Sequence, residues 1–299
     1  MNTEARDPRY VEIDRWPTSV AVAAMIEAQI SAVASLQSQT ERIAEAAEGA
    51  AERLGDTGRL VYVGAGTSGR LAVQDGAELF PTFGWPHERL AFLMAGGIEV
   101  FTKAAEMAED DADTARQEIA AAGIGRDDVV IGVAASGRTP YTLAAITSAR
   151  EAGALTIGVA NNPGSALLEA AEIGLLARTG AEVIAGSTRM KAGTAQKVLL
   201  NTLSTAIMLR RGLVYDGMMV NMKISNEKLQ SRAEQMVQDI ARVDTDTAAA
   251  ALDSADLDIK LGVLLALGLS KVAAIQLLHA HKQNLRQALN AMQKATANA

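Results

Sequence analysis

Apolar residues change their rhythm twice along this chain of 299 residues. Residues 1–17 read as an extended arm with Pro8 and Pro17 as breakers. From Thr18 to about Leu54, Val20, Met25, Ile26, Ile30, Val33 and Leu36 recur at helical spacing. This predicts one long helix or two shorter ones, ended by the glycines at 55 and 58. The rhythm then shortens to continuous apolar runs: RLVYVGAG at 59–66, RLAFLMAGG at 89–97, DVVIGVAASG at 128–137, LTIGVANNPG at 155–164 and a weaker EIGLLART at 172–179. Helical sequence near 68–78, 100–122, 139–152 and 165–171 separates them. Four or five short runs buried on both faces and alternating with helices predict an α/β fold, with a parallel sheet covered on both sides.

After residue 186 the strand pattern ceases. Helices are expected at 188–211 and about 222–242, followed by several short ones from 245 to 297, with Gly262, Gly268 and Ser270 near breaks. The chain accordingly divides into an arm and helix packing on the core (1–56), a sheet domain (57–220) and a small helical C-terminal region (221–299). Met218, Met219 and Met222 lie where two helical regions join and read as packing residues.

Composition narrows the function classes. With 49% apolar and only 3% aromatic residues, the chain has the make-up of a helix-rich α/β protein. A net charge of -7 argues against nucleic acid or an anionic membrane as the main partner. A small anion remains compatible, because backbone N–H groups can hold it inside an acidic protein. The absence of cysteine excludes disulfides, thiolate catalysis and cysteine metal sites. The segment MNTEARDPRYVEIDRW lacks an apolar core of the secretory kind, and no run of about 18 apolar residues free of charge appears. A soluble, cytoplasmic protein is expected. His87 sits in a loop, and His279 and His281 are two apart on a helix, so neither reads as a metal site.

Three segments carry candidate chemistry. GAGTSGR, at 64–70, follows a strand and opens a helix with the spacing of a dinucleotide loop. A ribose-binding carboxylate should then end the second strand, but that strand ends Leu93-Met94-Ala95-Gly96-Gly97, with none before Glu99. Gly66, Thr67 and Ser68 instead offer hydroxyls and N–H groups suited to a phosphate. Ser136, Gly137, Arg138 and Thr139, before Pro140, repeat the arrangement after another strand. Two such turns predict one anion gripped from two sides, beyond the carboxyl ends of the strands. The third segment, GAEVIAGSTRMKAGTAQK at 180–197, adds Ser187 or Thr188 as a helix N-cap, while Arg189, Lys191 and Lys197 also fit a solvated helical face.

GAGTSGR, AASGRTPY, NNPGS and the third segment together resemble the signature segments of the N-acetylmuramic acid 6-phosphate etherases. These form part of the SIS (sugar isomerase) group, which also includes the glucokinase regulatory protein. The similarity runs from about Thr3 to the NEKL at 226–229, and more loosely through the helical tail. It implies a flavodoxin-like SIS domain over 57–220, a homodimer with sites near the interface, a sugar-phosphate substrate, and no metal or other cofactor. It also implies a reaction, in peptidoglycan recycling: water and N-acetylmuramic acid 6-phosphate give N-acetylglucosamine 6-phosphate and (R)-lactate. Glu182, Ser187 and Thr188 join the two turns as expected substrate contacts.

The resemblance assigns catalysis to two carboxylates. Glu78, in DGAELFPTFG, matches the segment with the family's proton-donor glutamate, and Glu109, in AEDD, falls at its second catalytic glutamate. Phe80 stands where the family has proline, and the arm lacks the usual ED-containing stretch. Without the resemblance, Glu109 reads as part of an exposed acidic run, whereas burial among Ala77, Leu79, Phe80 and Pro81 is expected to raise the Glu78 pKa. In the open-chain sugar the C3 ether oxygen is β to the aldehyde, so a base can take the C2 proton while an acid protonates the leaving oxygen. The working assignment makes Glu78 the acid and Glu109 the base, although the residues alone leave their order open. A non-catalytic sugar-phosphate sensor and an aldose–ketose isomerase are the alternatives on the same fold.

Overall fold

The computed structural model describes residues 3–97 and 106–297. All five apolar runs form strands: β1 (Leu60–Gly64), β2 (Leu90–Met94), β3 (Val129–Val133), β4 (Leu155–Ala160) and β5 (Ile173–Leu176). They pair in parallel in the order β2-β1-β3-β4-β5, as in flavodoxin-like sheets. Gly64 is in register with Met94 on one side and Val133 on the other. The order reverses between β1 and β3, so the chain leaves the sheet in opposite directions from two neighbouring strands.

The central strands β1, β3 and β4 are buried along their whole length, which explains why their sequences do not alternate. Val61, Val63 and Val130 pack with Tyr141, Ala145, Ile146 and Ala149 of α6 (Pro140–Glu151). The expected first helix is two: α1 (Thr18–Ala34) and α2 (Thr40–Leu54), joined by a 3-10 turn at Ser35–Gln39. α3 (Gly66–Ala77) follows β1, α4 (Leu79–Phe83) follows α3, and α5 (Ala112–Ala121) precedes β3. The first part of the helix expected at 100–122 lies outside the described residues. α7 (Ala166–Ala170) and α8 (Lys191–Arg210) complete this part of the chain.

Contacts group the chain into two compact units: residues 1–77 with 87–207, and residues 78–86 with 208–299. The second unit holds α9 (Glu227–Ala241), α10 (Thr245–Ser254), α11 (Ile259–Ala266), α12 (Lys271–Ala280) and α13 (Leu285–Ala297). Side chains of Asn226, Asp244, Asp258 and Ser270 cap the first four of these helices. Met222 and Met236 are buried in its core, with Met218 and Met219 against it.

By length and composition, with a charged residue tolerated, the stretch Thr18–Leu54 is apolar enough to cross a membrane, although Glu27 keeps it from being a charge-free run. Its structure argues otherwise. The 3-10 turn divides it, and α2 buries Ile43, Ala46, Ala47, Ala50 and Leu54 in the fold. At 17 residues, α1 alone would span about 25 Å, short of a hydrocarbon core of about 30 Å.

Asp128 pins the start of the two strands that flank the reversal. Its carboxylate accepts the Arg59 N–H at 2.9 Å and the Arg59 guanidinium at 2.7 Å, while Gly125 N–H donates to it at 3.0 Å. Burial alone would raise the Asp128 pKa, but these donors bring it below its ordinary value. A depressed carboxyl pKa stabilises the fold above the unfolded value of about 4, and that contribution is lost as pH falls through the folded value. Asp128→Asn is expected to cost about 1–3 kcal/mol in urea unfolding at pH 7. The difference from wild type should shrink steadily below about pH 4.

Candidate functional site

The reversal at β1 and β3 builds a cleft. Both turns expected to grip an anion leave the carboxyl ends of these neighbouring strands, and both contribute to a hollow of about 200 Å³. Gly66, Thr67 and Ser68 line it from the first turn, and Ser136 and Thr139 from the second. Gly66 and Ser68 belong to the opening turn of α3, where N–H groups lack helical acceptors. Thr139 is the N-cap residue of α6, but its hydroxyl makes no capping bond. It therefore stays available to the cleft. Two helix N-termini thus meet one hollow, a favourable setting for negative charge.

Glycine is required at two points. Gly66 has φ +52°, and a Cβ there would stand 2.7 Å from Oε1 of Glu109. Gly137 has φ +64°, and a Cβ there would stand 2.2 Å from the buried Ser165 Oγ. The first contact brings Glu109, half-buried in the 3-10 turn Glu106–Asp110, against the first hydroxyl-bearing turn. Glu109 and Thr188 both line the cleft, as does Glu4 from the arm, which the sequence reading did not single out. The described residues lining it include no lysine or arginine. A larger hollow of about 360 Å³ lies in the second unit around Val220–Ile224 and Asp256–Ile259, and holds none of the expected site residues.

Comparisons with known proteins bear on the family and the fold. Residues 42–150 match the glucokinase regulatory protein N-terminal SIS domain, and residues 98–206 match the SIS domain. An N-acetylmuramic acid 6-phosphate etherase of Deinococcus radiodurans is 47% identical over 288 residues, covering 96% of this chain and 94% of its own. The chain belongs to the N-acetylmuramic acid 6-phosphate etherase family. The etherase of Symbiobacterium thermophilum is 46% identical over 88% of this chain and 87% of its own. That of Salmonella choleraesuis is 40% identical over 96% and 97%. Among solved structures, a phosphoheptose isomerase from Francisella tularensis shares the fold, with a TM-score of 0.50 at 18% identity over 65% of this chain and all of its own.

Not every expected residue of this etherase-family chain lines the cleft. Glu182 is fully buried, and its two oxygens accept the N–H groups of Lys191 and Ala192, both at 2.9 Å. It caps α8 from a distance. It takes the capping place expected of Ser187 or Thr188, and Glu182 is not among the residues lining the hollow. Burial pushes the Glu182 pKa up and the two N–H groups and Lys191 oppose that shift. Lys191 is itself buried, with Nζ on the Ala181 carbonyl at 2.8 Å, so it is not part of a solvated face. Gly137 underlies the second turn, and neither the exposed Arg138 nor the half-buried Ser187 lines the hollow.

Glu78 immediately follows α3 and is the N-cap residue of α4, in the second unit. Its side chain is exposed, so the burial expected among its apolar neighbours is not observed. The turn before it is firmly held. Asp75 is buried and accepts from Tyr62 at 2.8 Å, from Ser204 at 3.2 Å and from Asn201, which also receives Lys197. Burial pushes the Asp75 pKa up, against the lowering by these donors and by Lys197. The capping role of Glu182 can be checked directly. Glu182→Gln should lower unfolding free energy by about 1–3 kcal/mol and leave inorganic phosphate affinity unchanged; the opposite pattern would return Glu182 to the ligand.

Proposed function

We propose that this chain cleaves the lactyl ether of N-acetylmuramic acid 6-phosphate, yielding N-acetylglucosamine 6-phosphate and (R)-lactate. The observation that carries the reading is the company Glu109 keeps: a carboxylate in the same cleft as two hydroxyl-bearing turns, in a chain of the etherase family. The phosphate is held by Thr67, Ser68, Ser136 and Thr139 with backbone N–H groups, leaving the sugar towards Glu109.

In the open-chain sugar, Glu109 takes the C2 proton and the C3–O bond breaks. Glu78 gives its proton to the departing oxygen, releasing lactate. Water then adds at C3 as Glu78 removes its proton, and Glu109 returns the proton to C2. The net change is one water consumed and one ether cleaved. Each carboxyl acting as acid or base contributes on the order of 100-fold or more in rate. Its sequence position within the family segment supports this role for Glu78.

We further place the enzyme in the cytoplasm, as a homodimer. α1 favours a second copy: Ile26, Ile30 and Val33 recur along one face, and Ile30 is 65% exposed. A continuous apolar stripe of this kind is usually covered in the working assembly. Double substitution of Ile26 and Ile30 by Asp should turn a dimer into a monomer in light scattering.

Lactate release from N-acetylmuramic acid 6-phosphate tests the activity. Wild type should produce equimolar lactate and N-acetylglucosamine 6-phosphate, with Glu78→Gln and Glu109→Gln each slower by about 100-fold or more. Ser68→Ala and Ser136→Ala should mainly raise KM, each by about 1–3 kcal/mol of binding. Ketose phosphate without lactate would instead indicate an isomerase, and sugar-phosphate binding without turnover a sensor.

A further inference from the structure

The arm at residues 3–17 is a part of the chain that the proposed chemistry leaves unused. Its first described residue is held with unusual care. Thr3 is fully buried. Its N–H donates to Asn162 Oδ1 at 3.0 Å, and Asn162 Nδ2 donates back to Thr3 Oγ1 at 3.0 Å. The same Asn162 amide reaches the Ala135 carbonyl at 3.2 Å, at the start of the second phosphate turn. Gly186 N–H donates to the Thr3 carbonyl at 3.3 Å, tying the arm to the third segment as well. One buried residue is thus joined to two of the three segments that carry candidate chemistry.

The staple has a consequence for its neighbour. Glu4 follows Thr3 into the cleft. Thr3 Oγ1 lies 3.4 Å from Glu4 Oε1, and Glu4 Oε2 stands 3.1 Å from where a Cβ on Gly186 would be. An exposed glutamate is ordinarily a solvated charge with no fixed position. Here the backbone on one side of it is immobilised, and ordering an irregular segment costs conformational entropy that something must offset. The carboxylate also faces a hollow whose described lining has no lysine or arginine to pair with it. It cannot usefully meet the phosphate, because like charges in a partly desolvated cleft repel. The ligand group that suits it is an uncharged N–H or O–H donor.

We propose that Glu4 is a ligand-contacting residue of the sugar-phosphate site, accepting a hydrogen bond from an amide N–H or hydroxyl of the sugar. This rests on the function proposed above. It adds a specificity element carried by the arm: the hydroxyl turns select the phosphate, and Glu4 selects what is attached to it. The same negative charge would keep a second anionic group of the ligand, such as a lactyl carboxylate, away from the Gly186 side of the cleft.

Calorimetric titration of wild type, Glu4→Ala, Glu4→Gln and Ser136→Ala tests this, with three probes: inorganic phosphate, glucose 6-phosphate and N-acetylglucosamine 6-phosphate. Glu4→Ala should bind N-acetylglucosamine 6-phosphate about 10- to 100-fold more weakly. Its inorganic phosphate affinity should hold or rise, since a repelling charge is gone. Glu4→Gln, which keeps the shape and one acceptor oxygen, should fall between. A loss confined to the N-acetylated sugar would identify the amide N–H as the donor, and an equal loss for both sugars a hydroxyl. Ser136→Ala should weaken all three probes. Unchanged sugar-phosphate affinity in Glu4→Ala would overturn the inference, and so would a parallel loss of inorganic phosphate. If either occurs while Ser136→Ala still weakens binding, the phosphate site stands without Glu4. Failure of wild type to bind either sugar phosphate would sink both readings.

Discussion

Hydrogen bonding between β1 and β3, with Gly64 set against Val133, brings together two turns that are far apart in the chain. Each turn alone is a common way to end a strand and start a helix. Side by side, at the point where strand order reverses, they face one hollow. The Arg59–Asp128 pair holds the other ends of the same two strands, so register at the cleft is set from outside it.

The cleft offers a small anion a place within an acidic protein. Its described lining relies on hydroxyls and helix N-termini in place of side-chain cations. Carboxylates in such a site have a restricted choice of position. Glu109 lies against Gly66, and Glu4 against Gly186. Both are suited to the uncharged part of a ligand: one to proton transfer in the proposed reaction, the other to recognition.

Buried charge elsewhere in the first unit serves the scaffold. Glu182 with Lys191 secures the start of α8, and Asp75 with Tyr62, Asn201 and Ser204 secures the end of α3. A buried carboxylate is tolerated where several donors meet it, and removing its partners is costly. These residues lie close in sequence to those expected to touch substrate.

Local pattern located the strands, since a short run such as LVYVG, apolar on both faces and followed by glycines and helical sequence, suits a strand buried in a parallel sheet. It likewise marked the hydroxyl turns as candidates for an anion, because Gly, Ser and Thr at a strand–helix junction expose N–H and hydroxyl donors. Three things required the folded chain, as each depends on distance in space. The side chain of Glu182 turned inward to cap a helix nine residues away. Segment 78–86, carrying Glu78 and directly following α3, grouped with the C-terminal helices. Glu4, an ordinary acidic residue in an irregular arm, lines the cleft beside Thr3, which Asn162 and Gly186 hold from distant parts of the chain. Sequence spacing encodes which face of an element is buried; which carboxylates share a solvent-lined hollow is decided by packing between distant segments.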